Sequence, residues 1–390
     1  MVHEISIDIS KGKIVSPQNT YLKLRDLVIR KIEAIPVMIP LLRPIKWARG
    51  QIINVDNVVI IVTLADGTQG IADAPARTTI LGDTQKSIVA IVRDHFAPRL
   101  TGINAFDLGR VATVLDAIAG NPAAKGAIDM AIHDAQGKAI GVTCAQLLGG
   151  TVRPLTVNWR ISIASEKEML AEADEMMGKF GFRALKIKGG LEREKDIRFL
   201  RKLRKQCGDN VEISIDFNQG LTAQSLLEIL PQLEAVNIAL IEEPIPARDG
   251  NGKLLVSRNT RIPISGDDSC FTPADVLHEL KLGAIRSVVI KVARNGYRQG
   301  RDIVALARSF HVPIHNGTQG DMHIGSAAAG HFACSYDAVH AHEFSAFLDA
   351  RDFVCDQNLT IRNGELILPD GPGIGLNLDQ RKLKKYRVDL

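Results

Sequence analysis

The chain has few cysteines, and they are not arranged for a shared role. Cys144, Cys207, Cys270, Cys334 and Cys355 are odd in number, widely spaced and free of any CxxC pair. A set of this kind argues against a disulfide framework and a zinc site, and favours free thiols in a reducing compartment. We therefore predict a cytoplasmic protein.

Long apolar runs and strong net charge are also missing. No apolar stretch approaches the roughly 18 residues of a membrane-spanning helix, and the N-terminus MVHEISIDISKGK lacks the apolar core of a signal peptide. The formal net charge is only +4 over 390 residues, without a long cluster of Lys and Arg. We expect neither membrane insertion nor nucleic-acid binding.

A chain of 390 residues is too long for one ordinary core, which predicts two domains. Residues 1–27 are polar and weakly patterned, and we interpret them as an N-terminal extension. Residues 28–150 carry the strand patterns LVIRKIEAIPVMIPL and NVVIIVTLADGTQGIADA, and become helical after Thr84. They predict an α+β domain.

Short apolar strands alternate with amphipathic helical stretches from Leu155 onwards. Their sequences are LTVNWRISIA, ALKIKGG, VEISIDFNQ, ALIEEPI, IPISGDDS, SVVIKVAR, VPIHNGT and VHAHEFS. Eight strands alternating with helices indicate an α/β fold, a (β/α)₈ TIM-like barrel over residues 151–355. The strand-like segment 356–390 does not continue this alternation, and we expect it to fold back onto the first domain.

Charged and polar residues stand at the predicted carboxyl ends of the barrel strands, where barrel enzymes carry their chemistry. In strand order they are Lys186, Lys188, Asp216, Asn218, Glu242, Glu243, Asp267, Asp268, Lys291, Asp321 and Glu343. One Asp at a strand end is usually a turn or cap residue, so the inference depends on the whole set. Asp216, Glu242 and Asp267 end three successive strands and would repel one another unless they share a cation. Oxygen ligands favour Mg²⁺, with Mn²⁺ as a possible substitute.

Lys186 and Lys188 alternate along one strand and so point to the same face. Two ammonium groups held this close repel each other, and burial increases the cost. The pair therefore predicts either a solvated face or nearby negative charge.

The motif order KxK, DxN, EEP, GDDS and IKVARNG resembles the enolase superfamily, and within it the muconate-lactonizing-enzyme (muconate cycloisomerase-like) subgroup. The resemblance extends over about residues 28–390 and includes the helical pattern AAKGAIDMAIHDAQGKAIG followed by LLGG. It implies that the first domain, completed by the C-terminal segment, caps the mouth of the barrel. It also implies a homo-oligomer that acts on a small-molecule carboxylate.

The same resemblance implies roles for individual residues. Asp216, Glu242 and Asp267 would bind Mg²⁺. Lys188 and Lys291 would be acid/base catalysts on opposite faces of the substrate, with Lys186 as an electrostatic helper. Where the subgroup has Asp-Glu on the fifth strand, this chain has Asp267-Asp268. We expect Asp268 to be a catalytic acid that lies behind the metal within reach of Lys291, and the reverse assignment of the two acids stays open.

Four further residues are candidates for substrate binding, and Asn218 is one of them. Asp321 stands where muconate cycloisomerases carry a glutamate, and its shorter side chain argues against muconate itself. Arg160 would either anchor a second carboxylate or form a salt bridge at the rim. Trp47 lies in LLRPIKWARG, which we predict to be a mobile lid loop together with ARTTILGDT. His323 is expected to be an exposed loop residue, with contact to the substrate as the alternative.

The resemblance implies an isomerase that moves a proton α to a carboxylate through an enediolate, as a cycloisomerase or a racemase/epimerase. A lyase of the same superfamily would use this site on a substrate with a β leaving group, as o-succinylbenzoate synthases or hydroxy acid dehydratases do. A non-catalytic binding protein on the same fold is the third alternative. Substrate identity is left open.

Overall fold

The structure is a computed structural model that describes residues 26–390. Its strands are β1 Ile29–Trp47, β2 Gly50–Leu64, β3 Gln69–Pro75, β4 Leu155–Thr156, β5 Trp159–Ile161, β6 Ala184–Lys188, β7 Glu212–Asp216, β8 Leu240–Glu242, β9 Ile264–Gly266, β10 Ser287–Ile290, β11 Ile314–Asn316, β12 Thr360–Arg362 and β13 Glu365–Ile367. Its α-helices are α1 Gln85–Ile91, α2 Ala97–Leu100, α3 Leu108–Asp116, α4 Pro122–Ile140, α5 Cys144–Leu147, α6 Glu166–Phe180, α7 Arg193–Cys207, α8 Ala223–Ala235, α9 Gly250–Arg258, α10 Pro273–Leu282, α11 Val292–Ser309, α12 His323–Ala333 and α13 Gln380–Tyr386. A π-helical turn spans Val92–Phe96 and a 3₁₀ turn spans Ala346–Asp349.

An antiparallel sheet in the order β1-β2-β3 forms the first part of the cap. Helix α4 packs against this sheet, and its small residues allow a very close approach. A Cβ on Gly70 of β3 would lie 2.0 Å from the carbonyl oxygen of Ala131. Asp134 of α4 accepts a hydrogen bond of 2.8 Å from the backbone N–H of Ile71. The sheet and the helix are thus joined by packing and by a buried hydrogen bond.

The barrel contains seven parallel strands in the order β11-β10-β9-β8-β7-β6-β5. The predicted eighth strand, VHAHEFS, is not a regular strand. Its residues His342 and Glu343 still close the ring, because the N–H of Glu343 donates to Asn316 at 2.9 Å and the N–H of His342 donates to Thr156 at 3.0 Å. The TIM-like barrel with its cap is thereby confirmed, with a segment too short for a ladder in place of the last strand.

The C-terminal segment contacts the barrel first and the cap afterwards. Strand β13 pairs with β4, so the predicted first barrel strand is divided between two sheets. Further along, the N–H of Gly373 donates to Val142 at 2.8 Å, and the N–H of Val388 donates to Pro36 at 3.0 Å. The tail returns to the cap as expected. The exact domain limits stay a prediction, and the extension 1–27 lies almost wholly outside the described residues.

Helix α4 also attaches the cap to the barrel. Its residue Asp129 accepts hydrogen bonds from the backbone N–H groups of Tyr297 at 2.6 Å and Arg298 at 3.1 Å. These two donors are free because α11 is interrupted at Gly296, where φ is +62°. Asp129, a carboxylate of the capping domain, therefore forms the N-terminal cap of the second half of α11. The first half of this barrel helix begins directly after Lys291.

The predicted lid segment 41–50 is not a loop. It forms the far end of the β1–β2 hairpin, which reaches over the barrel and bonds to it through the N–H of Ile163 and the carbonyl of Lys46 at 3.2 Å. The pairing of β1 with β2 is interrupted between Pro40 and Ile45, and then resumes as far as Trp47, opposite Gly50. The other predicted loop, residues 76–84, does lack regular structure. In residues 26–390, no helix is long and apolar enough to cross a membrane.

We predict that Gly70→Ala destabilises the protein by about 2 kcal/mol or more, because the new methyl group meets backbone atoms of α4 that cannot rotate away. The matched control is Gly178→Ala within α6, where nothing lies within 4 Å of the added methyl group. That change should stabilise by about 0.5–1 kcal/mol, as an added helix former does. Thermal unfolding followed by circular dichroism measures both. Equal shifts for the two variants would contradict this packing.

Candidate active site

A cavity of about 80 Å³ lies at the carboxyl ends of the barrel strands, beneath the tip of the β1–β2 hairpin. The barrel side is lined by Arg160, Lys188, Asn218, Asp267, Asp268, Lys291, Thr318, Gln319, Gly320, Glu343 and Ala346. The cap side is lined by Ile45, Trp47, Arg49, Ile52, Arg77, Thr79 and Ile80. Most of the residues expected from the strand ends therefore surround one space.

The two lysines of strand β6 are compensated by carboxylates on all sides. The ammonium group of Lys186 donates to Glu242 at 2.7 Å and to Glu343 at 2.9 Å. That of Lys188 donates to Asp216 at 2.5 Å. Burial alone would lower the pKa of Lys186, but Glu242, Glu343 and Asp216 outweigh it and raise that pKa well above its usual value. Negative charge, and not solvent, therefore accommodates the pair.

Lys291 forms the corresponding pair on the other side of the cavity. Its ammonium group donates to Asp267 at 2.5 Å, and Arg294 donates to the second oxygen of the same carboxylate at 3.0 Å. Burial would raise the pKa of Asp267, but these two cations hold it well below its usual range. Asp267, and not Asp268, is thus the acid in contact with Lys291. Asp268 lies further from Lys291 and acts on it through its charge, which raises the pKa of the lysine. The catalytic role expected for Asp268 stays a prediction.

Glu243, the second acid of the EEP motif, fixes the end of strand β9. Its carboxylate accepts hydrogen bonds from the N–H of Asp267 at 2.7 Å and from the N–H and hydroxyl of Ser269, both at 2.9 Å. Burial raises the pKa of Glu243 to about 7. This residue orients the backbone on which Asp267 stands.

Asp268 and Asn218 face the cavity from the ends of strands β9 and β7, on either side of β8. Asp268 accepts a hydrogen bond from Gln219 at 2.5 Å and lies 3.8 Å from the guanidinium of Arg49 at the hairpin tip. Burial raises its pKa, and the charge of Asp267 adds to the effect. Asn218 has a buried side-chain oxygen without a hydrogen-bond partner among the described residues. Both side chains are placed to meet a bound molecule.

The remaining substrate-binding candidates occupy different positions. Trp47 lines the cavity from the cap. Arg160 also lines it, but its guanidinium is paired with Asp349 at 2.5 Å, which is the salt bridge left open as an alternative. Asp321 is buried behind the cavity wall, where its carboxylate accepts from the N–H of Gln319 at 3.4 Å.

His323 is buried, so the expectation of an exposed loop residue is wrong. It begins helix α12, stacks on Phe353 at a centroid distance of 4.4 Å, and bonds to Asn358 at 2.7 Å. Burial lowers its pKa to about 4.

Sequence reasoning missed several residues of the site. Glu343 was noted at a strand end but given no role, although it contacts Lys186, and its pKa is lowered to about 2 because Lys186 and Lys188 outweigh its burial. Arg294 lies in the motif IKVARNG, three residues after Lys291. That spacing was the feature of the sequence that could have indicated its position in the site. Arg77 and Gln319 come from loops, and no periodicity could indicate that they meet.

The three predicted metal ligands stand on adjacent strands, and Asp216 is directly opposite Glu242 in the β7–β8 register. Within residues 26–390, no set of acids, histidines or cysteines forms a ready metal-binding group, because lysine ammonium groups lie between the carboxylates. Two observations fit a cation nonetheless. The second oxygen of Glu242 is buried without a hydrogen-bond partner, and burial raises the pKa of Asp216 despite its contact with Lys188.

Comparison with known proteins agrees with this geometry. Residues 30–149 match the N-terminal domain of mandelate racemase and muconate lactonizing enzyme, and residues 168–382 match the enolase C-terminal domain-like family. The chain belongs to the mandelate racemase and muconate lactonizing enzyme family. The predicted membership of the enolase superfamily is confirmed, and so is the isomerase class.

Individual members of the family align with most of the length of this chain. L-Ala-D/L-Glu epimerase of Bacillus subtilis is 29% identical over 353 residues, which is 89% of this chain and 96% of that protein. Muconate cycloisomerase 1 of Rhodococcus opacus is 26% identical over 371 residues, 93% of this chain and 99% of that protein. The muconate lactonizing enzyme of Pseudomonas fluorescens, solved with muconolactone, superposes with a TM-score of 0.89 at 27% identity, covering 93% of this chain and all of that one.

The buried Asp321 predicts a measurable dependence of stability on pH. Burial, reinforced by the charge of Asp73, raises its pKa from 3.8 to about 7. A carboxyl whose pKa is higher in the folded state favours folding at low pH, and this contribution is lost as pH rises from about 4 to 7, by up to about 1.4 kcal/mol per unit. Relative to wild type, Asp321→Asn should therefore gain stability as pH rises, with no further change above about pH 7.

Urea unfolding at about pH 5, 6 and 8 tests this expectation. The exposed carboxylate Asp337 provides the control, since Asp337→Asn should shift stability little at any of these values. A constant difference between wild type and Asp321→Asn across the range would show that Asp321 does not titrate in the folded protein.

Proposed function

We propose that this isomerase moves a proton on the carbon α to a substrate carboxylate, with Lys188 and Lys291 as the two acid/base groups. One observation carries the proposal. Each lysine lines the same cavity, and each is held at 2.5 Å by a different strand-end carboxylate, Asp216 or Asp267. Such an arrangement gives two proton carriers that enter the cavity from different strands.

The positions of the two lysines around the barrel support these roles. Lys188 ends strand β6 and Lys291 follows β10, and three strands, β7, β8 and β9, lie between them. Strands so separated in a closed barrel stand nearly opposite each other. A substrate held between them presents one face of its α-carbon to each lysine, which supports transfer of a proton from one face to the other.

We propose that Asp216, Glu242 and Asp267 hold one divalent cation, Mg²⁺ or alternatively Mn²⁺. The charge and oxygen chemistry of these three carboxylates suit a hard cation. When bound, it would supply the positive charge that stabilises the enediolate formed when the α-proton of the substrate is removed. Lys186 adds fixed positive charge between Glu242 and Glu343, and Glu243 keeps Asp267 in place through the backbone.

An epimerase fits two equivalent lysines directly, because 1,1-proton transfer needs a base on one face and an acid on the other. A cycloisomerase is the second candidate, and it is favoured by the similarity to muconate lactonizing enzymes over 93% of this chain. A cycloisomerase needs only one lysine for proton transfer.

The domain limits, the homo-oligomeric state and a cytoplasmic location stay predictions.

The proposed roles of the lysines predict a difference between two variants. In D₂O with Mg²⁺ and a turned-over carboxylic acid, Lys188→Ala should stop α-proton exchange from one enantiomer and Lys291→Ala from the other. Loss of a positioned acid or base lowers the rate by about 10²–10⁴-fold. Proton NMR of each enantiomer measures the exchange, and Lys186→Ala should slow both enantiomers alike because it changes charge without selecting a face.

Two other outcomes separate the alternatives. If only one lysine variant loses α-proton exchange and new alkene or lactone signals appear with wild type, the enzyme is a cycloisomerase or a lyase. Should both lysine variants retain exchange from both enantiomers, the two-base mechanism is wrong.

The metal proposal predicts that EDTA abolishes turnover and that added Mg²⁺ restores it. Asp216→Asn, Glu242→Gln and Asp267→Asn should each weaken Mn²⁺ binding strongly, as measured by electron paramagnetic resonance of the free ion. The neighbouring variant Asp268→Asn is the matched control and should keep the affinity. If Asp268→Asn loses Mn²⁺ binding while Asp267→Asn keeps it, the assignment of the two acids must be reversed.

A further inference from the structure

Arg77 stands out among the arginines that line the cavity. Arg160 is paired with Asp349 at 2.5 Å, and Arg49 lies 3.8 Å from Asp268. Among residues 26–390, no carboxylate oxygen lies within 4.0 Å of a nitrogen of the Arg77 side chain, although only 5% of the residue is exposed. A buried cation without a close counter-ion is costly, so its position needs an explanation.

The contacts that Arg77 does make are long or neutral. Its guanidinium donates to the carbonyl of Ala76 at 3.0 Å, to the side-chain oxygen of Asn57 at 3.3 Å and to the carbonyl of Gly320 at 3.3 Å. Asp321, Asp56 and Asp73 lie further away and act on Arg77 only through their charge. Burial raises the pKa of Asp321 and of Asp73, which weakens their compensation of the guanidinium. These contacts orient the guanidinium toward the cavity wall without neutralising it by a direct ion pair.

Gln319 adds a second, independent observation at the same wall. It is 3% exposed, and neither the oxygen nor the nitrogen of its side-chain amide has a hydrogen-bond partner among the described residues. Both Gln319 and Arg77 line the cavity. An amide buried with both polar atoms unpaired is rare in folded proteins and indicates a missing partner.

The loop Gly317–Gly320 connects this wall to the catalytic lysine. A Cβ on Gly317 would lie 2.8 Å from the Lys291 side chain, and a Cβ on Gly320 would lie 2.4 Å from the Arg77 guanidinium. Only a glycine leaves room for Arg77 there, because the backbone of Gly320 also has φ +81°. Three residues span at most about 10 Å, so a small molecule can contact both ends.

From this arrangement we infer that the substrate carries a second anionic group, a carboxylate, which is bound by Arg77 and Gln319 at the end of the cavity away from the reacting carbon. The inference rests on the proposed α-proton chemistry for the other end of the substrate. The sequence suggested Arg160 as the residue that binds a second carboxylate, but its charge is already paired with Asp349. We assign this role to Arg77. Both N–H groups of the Arg77 nitrogen Nη2 are engaged in contacts of 3.3 Å, so a carboxylate would bind the remaining N–H groups or replace one of these long contacts. The amide of Gln319 would donate a further hydrogen bond.

The test uses matched pairs of ligands that differ only in the distal group, an acid against its amide. Suitable probes are L-Ala-L-Glu with L-Ala-L-Gln, and adipate with its monoamide, each titrated calorimetrically into the full-length protein with Mg²⁺. Wild type should prefer at least one acid over its amide by about 10- to 100-fold, the usual worth of a hydrogen bond to a charged group. In Arg77→Met the preference should disappear through weaker binding of the acid alone.

Three further variants keep the test interpretable if Arg77→Met does not fold. Arg77→Lys retains the charge without the planar fork and should keep a reduced preference. Gln319→Glu is isosteric, breaks no hydrogen bond within the protein, and should reverse or abolish the preference by repulsion. Arg160→Met tests the rival anchor and should leave the ratio between acid and amide unchanged.

The inference is overturned if wild type shows no preference for any acid, if the preference survives in both Arg77→Met and Gln319→Glu, or if Arg160→Met removes it instead. These binding ratios need no turnover. Failure of the proposed function would appear separately, as absence of α-proton exchange in D₂O from ligands of either charge.

Discussion

The charge balance at the carboxyl ends of the barrel strands is the constraint on which the site depends. Lys186, Lys188 and Lys291 are all largely buried, and each is held by at least one strand-end carboxylate. Removing one partner of a buried ion pair typically costs about 3–5 kcal/mol, because the other charge is left without compensation. The acids and the lysines therefore have to be present together, which explains why the sequence carries them as a set on consecutive strands.

The cap is needed for this charge balance to persist. A hairpin tip bearing Trp47 and Arg49 covers the cavity, so that the ion pairs below it are shielded from bulk water. Helix α4 attaches the cap directly behind the site, since Asp129 caps the half-helix that begins after Gly296. The capping domain, which covers the cavity, is thus hydrogen-bonded to helix α11, which directly follows Lys291. The same contact therefore holds the cap over the cavity and fixes the helix next to the lysine.

Much of this could be predicted from the sequence, because strand and helix periodicity reports burial directly. The positions of Lys186, Asp216, Glu242 and Asp267 at strand ends followed from that periodicity. The prediction of an eighth strand was wrong, because only His342 and Glu343 form backbone hydrogen bonds with the neighbouring strands. These hydrogen bonds depend on how the barrel closes, which the local sequence pattern does not report. Segment 41–50 does not show its strand pairing in the sequence, because Pro44 and the basic residues interrupt the alternation and the register with β2 shifts between Pro40 and Ile45.

Loop residues mark the limit of sequence reasoning in this protein, and the reason is physical. Arg77 follows the cap strand β3 and Gln319 follows the barrel strand β11, and they meet only because α4 and the tail hold the two domains together. Their burial is a property of the assembled interface, which neither segment shows in its own pattern. Lys186 and Lys188 stand on strand β6 and Lys291 directly follows β10, and their ion pairs do not involve the side chains of Arg77 and Gln319. Those two side chains can therefore change without removing an ion pair of the three lysines. This separation between strand residues and loop residues is consistent with the relatives of the chain, which share its architecture but are named for different reactions, an epimerase and a cycloisomerase.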